Sequence, residues 1–277
     1  MAAKGRDGLS TIDVLRGFGP RLLLEIVWAV LRGERRSLAG DAARLVALMD
    51  PPPRVAGRHL VPARGPFLLV ANHFQVPGVW VGWAALAIAN AVAGARAPGS
   101  HELHWMVLSE WRWFEAWGRW LPNPISSLLF PRAAKVWGMI ATPSRPSDTA
   151  GRARALRQVL TYLGHGRRGG PAEPVALFPE GTATVALGEA KPGTGAFLAR
   201  VSRLGVPILP VGVCQEDGAL VVRFGPPFLL DGPAPDGAAD MDGSVRRQVM
   251  LAIGRLLPQR LWGTYAEAIA AAERGLS

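Results

Sequence analysis

Four short apolar runs, "FLLVAN" (67–72), "PVALFPEGT" (174–182), "VPILPVGV" (206–213) and "LVVRFGPPFLL" (220–230), alternate along this chain with longer stretches of helical period. Apolar runs of this length bounded by Gly and Pro predict buried strands. Between them, 148–164 reads as a helix, with Asp148 as N-cap, Leu156, Val159, Leu160 and Leu163 on one face and Gly164 at the stop. A second helix is expected at 193–205. The Ala-rich "VGWAALAIANAVAGA" (81–95) is too long for a strand and predicts a buried helix. Strand and helix in regular alternation imply an α/β fold, a central mixed sheet flanked by helices in a single domain.

Two further helices are expected ahead of the sheet, at 10–33 and 37–49, stopped by Pro51-Pro52-Pro53. The chain then divides into an N-terminal helical pair (1–53), which packs on the protein or docks on a membrane, an α/β core (54–230), and an acidic loop with a C-terminal helix (231–277). The run "LLLEIVWAVL" (22–31) is broken by Glu25 and falls short of the roughly 20 apolar residues that a membrane span requires. An amphipathic helix fits better, with Leu23, Ile26, Val27, Ala29 and Val30 near one face. Such a helix packs on the core or, as the alternative, lies in a membrane interface.

Charge narrows the partners. There are 31 basic and 21 acidic residues, a net charge of +10, which favours acidic lipid headgroups, phosphorylated substrates and carriers, or nucleic acid. A single cysteine, Cys214, excludes an internal disulfide framework and agrees with a reducing, cytoplasmic setting. Six of the ten tryptophans (Trp105, Trp111, Trp113, Trp117, Trp120 and Trp137) fall within 104–137, mixed with Arg112, Arg119, Arg132 and Lys135. This mixture suits a membrane–water interface, base stacking, or a core under long loops. No nucleic-acid motif accompanies it, so nucleic acid is not an expected partner.

Two strand ends carry chemistry. Asn72-His73 ends one strand and Phe178-Pro179-Glu180-Gly181-Thr182 ends another, and charged residues at the carboxyl edge of an α/β sheet are where such sheets bind ligands. A histidine there suits general-base work near neutral pH. Gly181 lets backbone N–H groups approach an anion, and Thr182 adds a hydroxyl. "HELH" (101–104) lacks the spacing and third ligand of a zinc helix, so no metal is expected.

In this order, "NHFQVPG", "GMIATPSR" (138–145), "FPEGTAT" and "VPILPVGV" resemble the glycerolipid acyltransferase family that includes lysophosphatidate acyltransferase, over roughly residues 55–265. The resemblance implies an acyltransferase-like domain, needing no cofactor, that moves a fatty acyl group from acyl-CoA or acyl-carrier protein to a lipid hydroxyl. It implies an anionic membrane surface as a further partner, at the cytoplasmic face of the cell membrane. His73 would be the base, and Glu180, Asn72, Gly181, Thr182, Arg145 and Lys191 would build the site.

Two positions depart from the family pattern. Gly78 stands where the aspartate of N-H-x-x-x-x-D orients the histidine, and Ala183 stands where an arginine helps hold the acceptor's phosphate. After His73 the next acid is Glu102, so Glu180 is the candidate to take the aspartate's place, with Arg145 and Lys191 left for the phosphate. The alternative is a lipid- or acyl-binding protein of the same fold that has lost the chemistry.

Overall fold

The computed structural model describes residues 20–76, 79, 81–100, 102–109, 112–116, 119–122, 124–143, 147–166, 172–230 and 241–275. Nine strands form among the described residues: β1 (Arg54–Ala56), β2 (Leu68–Ala71), β3 (His104–Leu108), β4 (Arg112–Ala116), β5 (Arg119–Pro122), β6 (Ile140–Thr142), β7 (Val175–Leu177), β8 (Ile208–Glu216) and β9 (Ala219–Phe224). The four apolar runs supply β2, β7, β8 and β9, and the other five were not expected from the sequence. Seven form one sheet in the order β1-β9-β8-β2-β7-β3-β6, and β4 pairs with β5 in a separate antiparallel hairpin. From β8 through β2, β7 and β3 to β6 the sheet is parallel. β9 returns antiparallel to β8 through the tight turn at Asp217-Gly218, and β1 runs parallel to β9. The sheet is therefore mixed, as the alternation predicts.

The centre of the sheet is dry. Phe67 through Ala71 and Val175 and Ala176 have no accessible surface, nor do Ile208, Leu209, Val211 and Val213. Strands covered on both faces read as continuous apolar runs, which is how these three were legible.

Eight α-helices lie among the described residues: α1 (Pro20–Arg32), α2 (Leu38–Val46), α3 (Val81–Ala95), α4 (Pro124–Val136), α5 (Thr149–Tyr162), α6 (Thr194–Ser202), α7 (Met241–Gly254) and α8 (Ala266–Arg274). The Asp148 carboxylate accepts from the Gly151 N–H at 2.7 Å and opens α5 as its N-cap. α7 lies in the segment where one C-terminal helix was expected, and α4 and α8 were not expected from the sequence.

α2 packs on α3, and Leu38, Ala42, Leu45 and Met49 join the same core as the sheet. Its N-terminus is held by Glu102, which accepts from the Leu38 N–H at 2.7 Å and from the Ser37 hydroxyl. The Arg36 guanidinium grips Asp41 through two bonds of 2.8 and 2.6 Å, and the Trp137 indole donates to the same carboxylate at 2.8 Å.

α1 buries Ala29 and Val30 against Val136 of α4. Its outer side exposes Leu24 (67%), Val27 (46%), Trp28 (54%) and Leu31 (61%), with Arg32 4.2 Å above the Trp28 ring. Val27 thus belongs to the outer stripe, not to the face of Ala29 and Val30. Residues 10–19 of the expected first helix lie outside the described residues.

The tryptophan-rich segment divides. Trp105 is 2% exposed and Trp137 is half-buried against Asp41, so these two serve the core. Trp113 and Trp120 lie on β4 and β5, and Trp111 and Trp117 fall outside the described residues.

Candidate active site

β2 and β7 lie side by side in parallel, with Leu69 beside Ala176 and Val70 beside Leu177. Their carboxyl ends consequently deliver His73 and the Phe178–Thr182 turn to one spot on the sheet edge. The two loops are stitched through the backbone. The His73 N–H donates to the Glu180 carboxylate, the Thr184 N–H donates to the His73 carbonyl at 2.9 Å, and the Gln75 N–H donates to the Thr184 carbonyl at 3.0 Å.

Glu180 is 4% exposed and its second oxygen is also committed, accepting from the Gly188 N–H at 2.7 Å and the Thr184 hydroxyl at 3.0 Å. Burial pushes its carboxyl above the usual range, opposed by these three donors. The expectation that Glu180 orients the His73 ring is therefore corrected: it grips the histidine's backbone instead. Glu102, capping α2, is committed as well. Gly78 lies outside the described residues.

The ring has another support. His73 stacks on Phe178 with centroids 4.6 Å apart and planes 10° from parallel, and Phe178 stacks in turn on Trp105 at 4.7 Å and 25°. His73 Nδ1 is buried without a hydrogen-bond partner among the described residues. Burial holds the imidazole down at about 4, against the backbone of Thr182, which raises it, while the Lys191 charge lowers it further. The ring is thus neutral at pH 7 and able to accept a proton.

Asn72 does not face a ligand. It is 3% exposed, its amide nitrogen donates to the Val213 carbonyl at 2.9 Å, and its oxygen accepts from the Val213 N–H at 2.7 Å. The side chain continues the β2–β8 ladder where the main chain turns away, so its expected part in substrate binding gives way to an architectural one.

Gly181 adopts φ +57°, a left-handed conformation that favours glycine, and closes the turn through its N–H on the Phe178 carbonyl at 3.0 Å. The Lys191 ammonium donates to the Gly181 carbonyl at 2.9 Å and remains exposed. Thr182 is exposed beside it. Arg145 lies outside the described residues.

The stack escaped sequence reasoning, although register accounts for it. Trp105 pairs with Ala176, and Leu69 pairs with Ala176 from the other side. Alternation by twos puts Leu69, Ala71 and His73 on the face that carries Trp105, Ala176 and Phe178. No single-strand pattern contains that row.

His104 sits at the opposite end of β3, the amino edge. Its Nδ1 bonds the Gly138 carbonyl at 2.7 Å, its Nε2 bonds Glu173, and its ring stacks on Tyr162 at 3.7 Å. Both nitrogens are committed to protein acceptors, and His101 lies outside the described residues.

No family model and no curated protein matches the chain. Among solved structures it is similar to the 1-acyl-sn-glycerophosphate (LPA) acyltransferase PlsC from Thermotoga maritima, at 17% identity and a TM-score of 0.45, over 88% of this chain and 86% of that one.

Proposed function

We propose that this protein is a membrane-associated acyltransferase, which moves a fatty acyl group from acyl-CoA or acyl-carrier protein to the hydroxyl of a lipid or glycerolipid acceptor. The observation that carries the reading is the joining of the two motif loops. His73 is clamped by Glu180 and Thr184 at a sheet edge, with a neutral ring and the Lys191 cation alongside. Nδ1 is buried, and this reading therefore gives Nε2 the part of meeting substrate.

Nε2 takes the acceptor's hydroxyl proton as the oxygen attacks the thioester carbonyl carbon. The tetrahedral intermediate collapses with cleavage of the C–S bond, and the imidazolium returns the proton to the departing thiolate. Lys191, exposed beside the turn, is suited to an anionic group on donor or acceptor.

The outer face of α1 supports the membrane part. Leu24, Val27, Trp28 and Leu31 recur at helical spacing as one apolar stripe, with Arg21 and Arg32 at its ends. At about 1.5 Å per residue, its 13 residues span far less than a bilayer core of roughly 30 Å. No helix among the described residues is long and apolar enough to cross. A stripe of this kind lies in the interface, where the net charge of +10 favours anionic headgroups.

One observation favours the second reading, a lipid- or acyl-binding protein without turnover. With Nδ1 buried and unpartnered among the described residues, a proton there lacks an acceptor, so the tautomer with hydrogen on Nε2 is preferred and Nε2 loses the lone pair a base needs. In a Ser-His-Asp enzyme the wrong tautomer costs roughly 10⁴ in rate. The test is thiol release from acyl-CoA by the purified protein with a panel of lysolipid acceptors, beside His73→Ala. Acceptor-dependent release that disappears in the variant is the expected result. Acyl-CoA binding without release by the wild type assigns the second reading.

A further inference from the structure

The acyltransferase reading leaves a mechanical question: a general base must present one nitrogen in one direction, and neither nearby carboxylate reaches this ring. Glu180 spends its oxygens on the His73 and Gly188 N–H groups and the Thr184 hydroxyl, and Glu102 caps α2. Apart from the Thr182 backbone, what touches the ring is a flat hydrocarbon surface. Phe178 lies 4.6 Å from the His73 centroid and 10° from parallel, and Trp105, 2% exposed, backs Phe178 at 4.7 Å.

We propose that Phe178, backed by Trp105, is the positioning residue for His73, with parallel stacking in place of the hydrogen bond that an aspartate makes in other histidine bases. The inference rests on the acyltransferase reading and names how its base is aimed.

The geometry divides the task in two. Hydrogen bonds at the His73 N–H and carbonyl hold the backbone, and so aim the Cα–Cβ bond. The stack then sets the plane of the ring about that bond. Trp105 lies on β3, and His73 and Phe178 directly follow β2 and β7, three adjacent strands in register, so the plane is tied closely to the sheet. Trp105 is enclosed by the core, which stops Phe178 from yielding when the histidine pushes on it. Aromatic pairs of this type prefer offset stacking and are favoured beyond what their burial alone contributes.

The substitutions that test this are Phe178→Leu, which keeps apolar bulk and removes the flat face, and Phe178→Tyr, which keeps the ring. Two readouts are taken on full-length protein: steady-state acyl transfer, and the NMR shifts of the His73 ring protons, assigned by comparison with His73→Ala. In the wild type the ring protons are expected upfield through the Phe178 ring current. In Phe178→Leu they return toward ordinary values and kcat falls roughly 10- to 100-fold at little-changed KM, the scale of a misaimed reacting group. Phe178→Tyr restores both.

Phe178→Leu with wild-type kcat overturns the positioning role and leaves the acyltransferase reading standing. A loss of kcat that Phe178→Tyr does not restore, or ring protons unmoved in Phe178→Leu, also overturns it. A wild type with upfield His73 signals but no turnover refutes the acyltransferase reading, and the positioning role falls with it.

Discussion

Asn72 gives the sharpest separation of architecture from chemistry, because it adjoins the histidine and yet turns away from the site. In Asn72→Ala the Val213 N–H and carbonyl, now bonded at 2.7 and 2.9 Å, lose both partners inside a sheet where Val213 has no accessible surface. A buried donor or acceptor left unsatisfied costs about 1–3 kcal/mol, so the pair costs about 2–6 kcal/mol, and water entering the space of the lost amide brings this toward about 3. For a domain of this size each kcal/mol lowers the unfolding midpoint by about 2–4 °C, which gives a fall of roughly 6–12 °C. Thermal unfolding measures the midpoint, and hydrogen exchange at the Val213 amide locates the damage, since that proton loses its acceptor. Asn72→Asp is expected to do no better: it keeps the acceptor but sets a carboxylate oxygen against the Val213 carbonyl. An unchanged midpoint with a raised KM for the lipid acceptor would refute this reasoning and return Asn72 to the binding surface.

Three further outcomes are expected. Glu180→Ala leaves the His73 and Gly188 N–H groups without acceptors; stability drops by about 2–4 kcal/mol and activity declines with it, whereas lost activity at an unchanged urea midpoint would make Glu180 a participant in the chemistry. Because burial holds the His73 imidazole at about 4, the acid limb of kcat/KM is expected near that pH and not near the free value, and Lys191→Met is expected to move the limb upward. The unfolded histidine binds its proton first, so the contribution of this group to stability is complete above about pH 6.5 and is lost as pH falls toward the folded value; denaturant midpoints of wild type and His73→Phe between pH 7 and 4 check the sign. Leu24→Ser with Leu31→Ser removes two exposed leucines of α1, each contributing about 1.4 kcal/mol if half-inserted, so binding to anionic vesicles is expected to weaken roughly 100-fold at an unchanged unfolding midpoint; undiminished co-sedimentation would exclude α1 as the membrane contact.

Much of the fold was legible because its signals are local. The apolar runs at 67–72, 174–182 and 206–213 mark the dry centre of the sheet, and Asp148 marks the start of α5 through a bond to a residue three positions on. His73 and the "FPEGT" turn were legible as strand ends, and strand ends on one edge of a parallel sheet converge. What each side chain does there was less so. Glu180 and Asn72 were expected to face chemistry, and both hold backbone, because whether a polar group points into a site or back at a strand depends on which peptide groups the neighbouring chain leaves unpaired. α1 shows the same limit: its sequence marks an amphipathic helix, but two apolar sides compete, and α4 selects Ala29 and Val30 for burial.

The sequence by itself determined the alternation of strand and helix, the strand-end position of His73 and the absence of the aspartate, since each is a matter of residue type and near-neighbour spacing. Only the tertiary structure decided what holds the histidine. Phe178 follows a strand a hundred residues downstream and Trp105 lies on the strand next to that one, and the three rings meet because β2, β7 and β3 pair in one particular register. A slip of one residue would turn one of those rings to the opposite face of the sheet, and register is set by burial of the whole sheet rather than by any residue in the row.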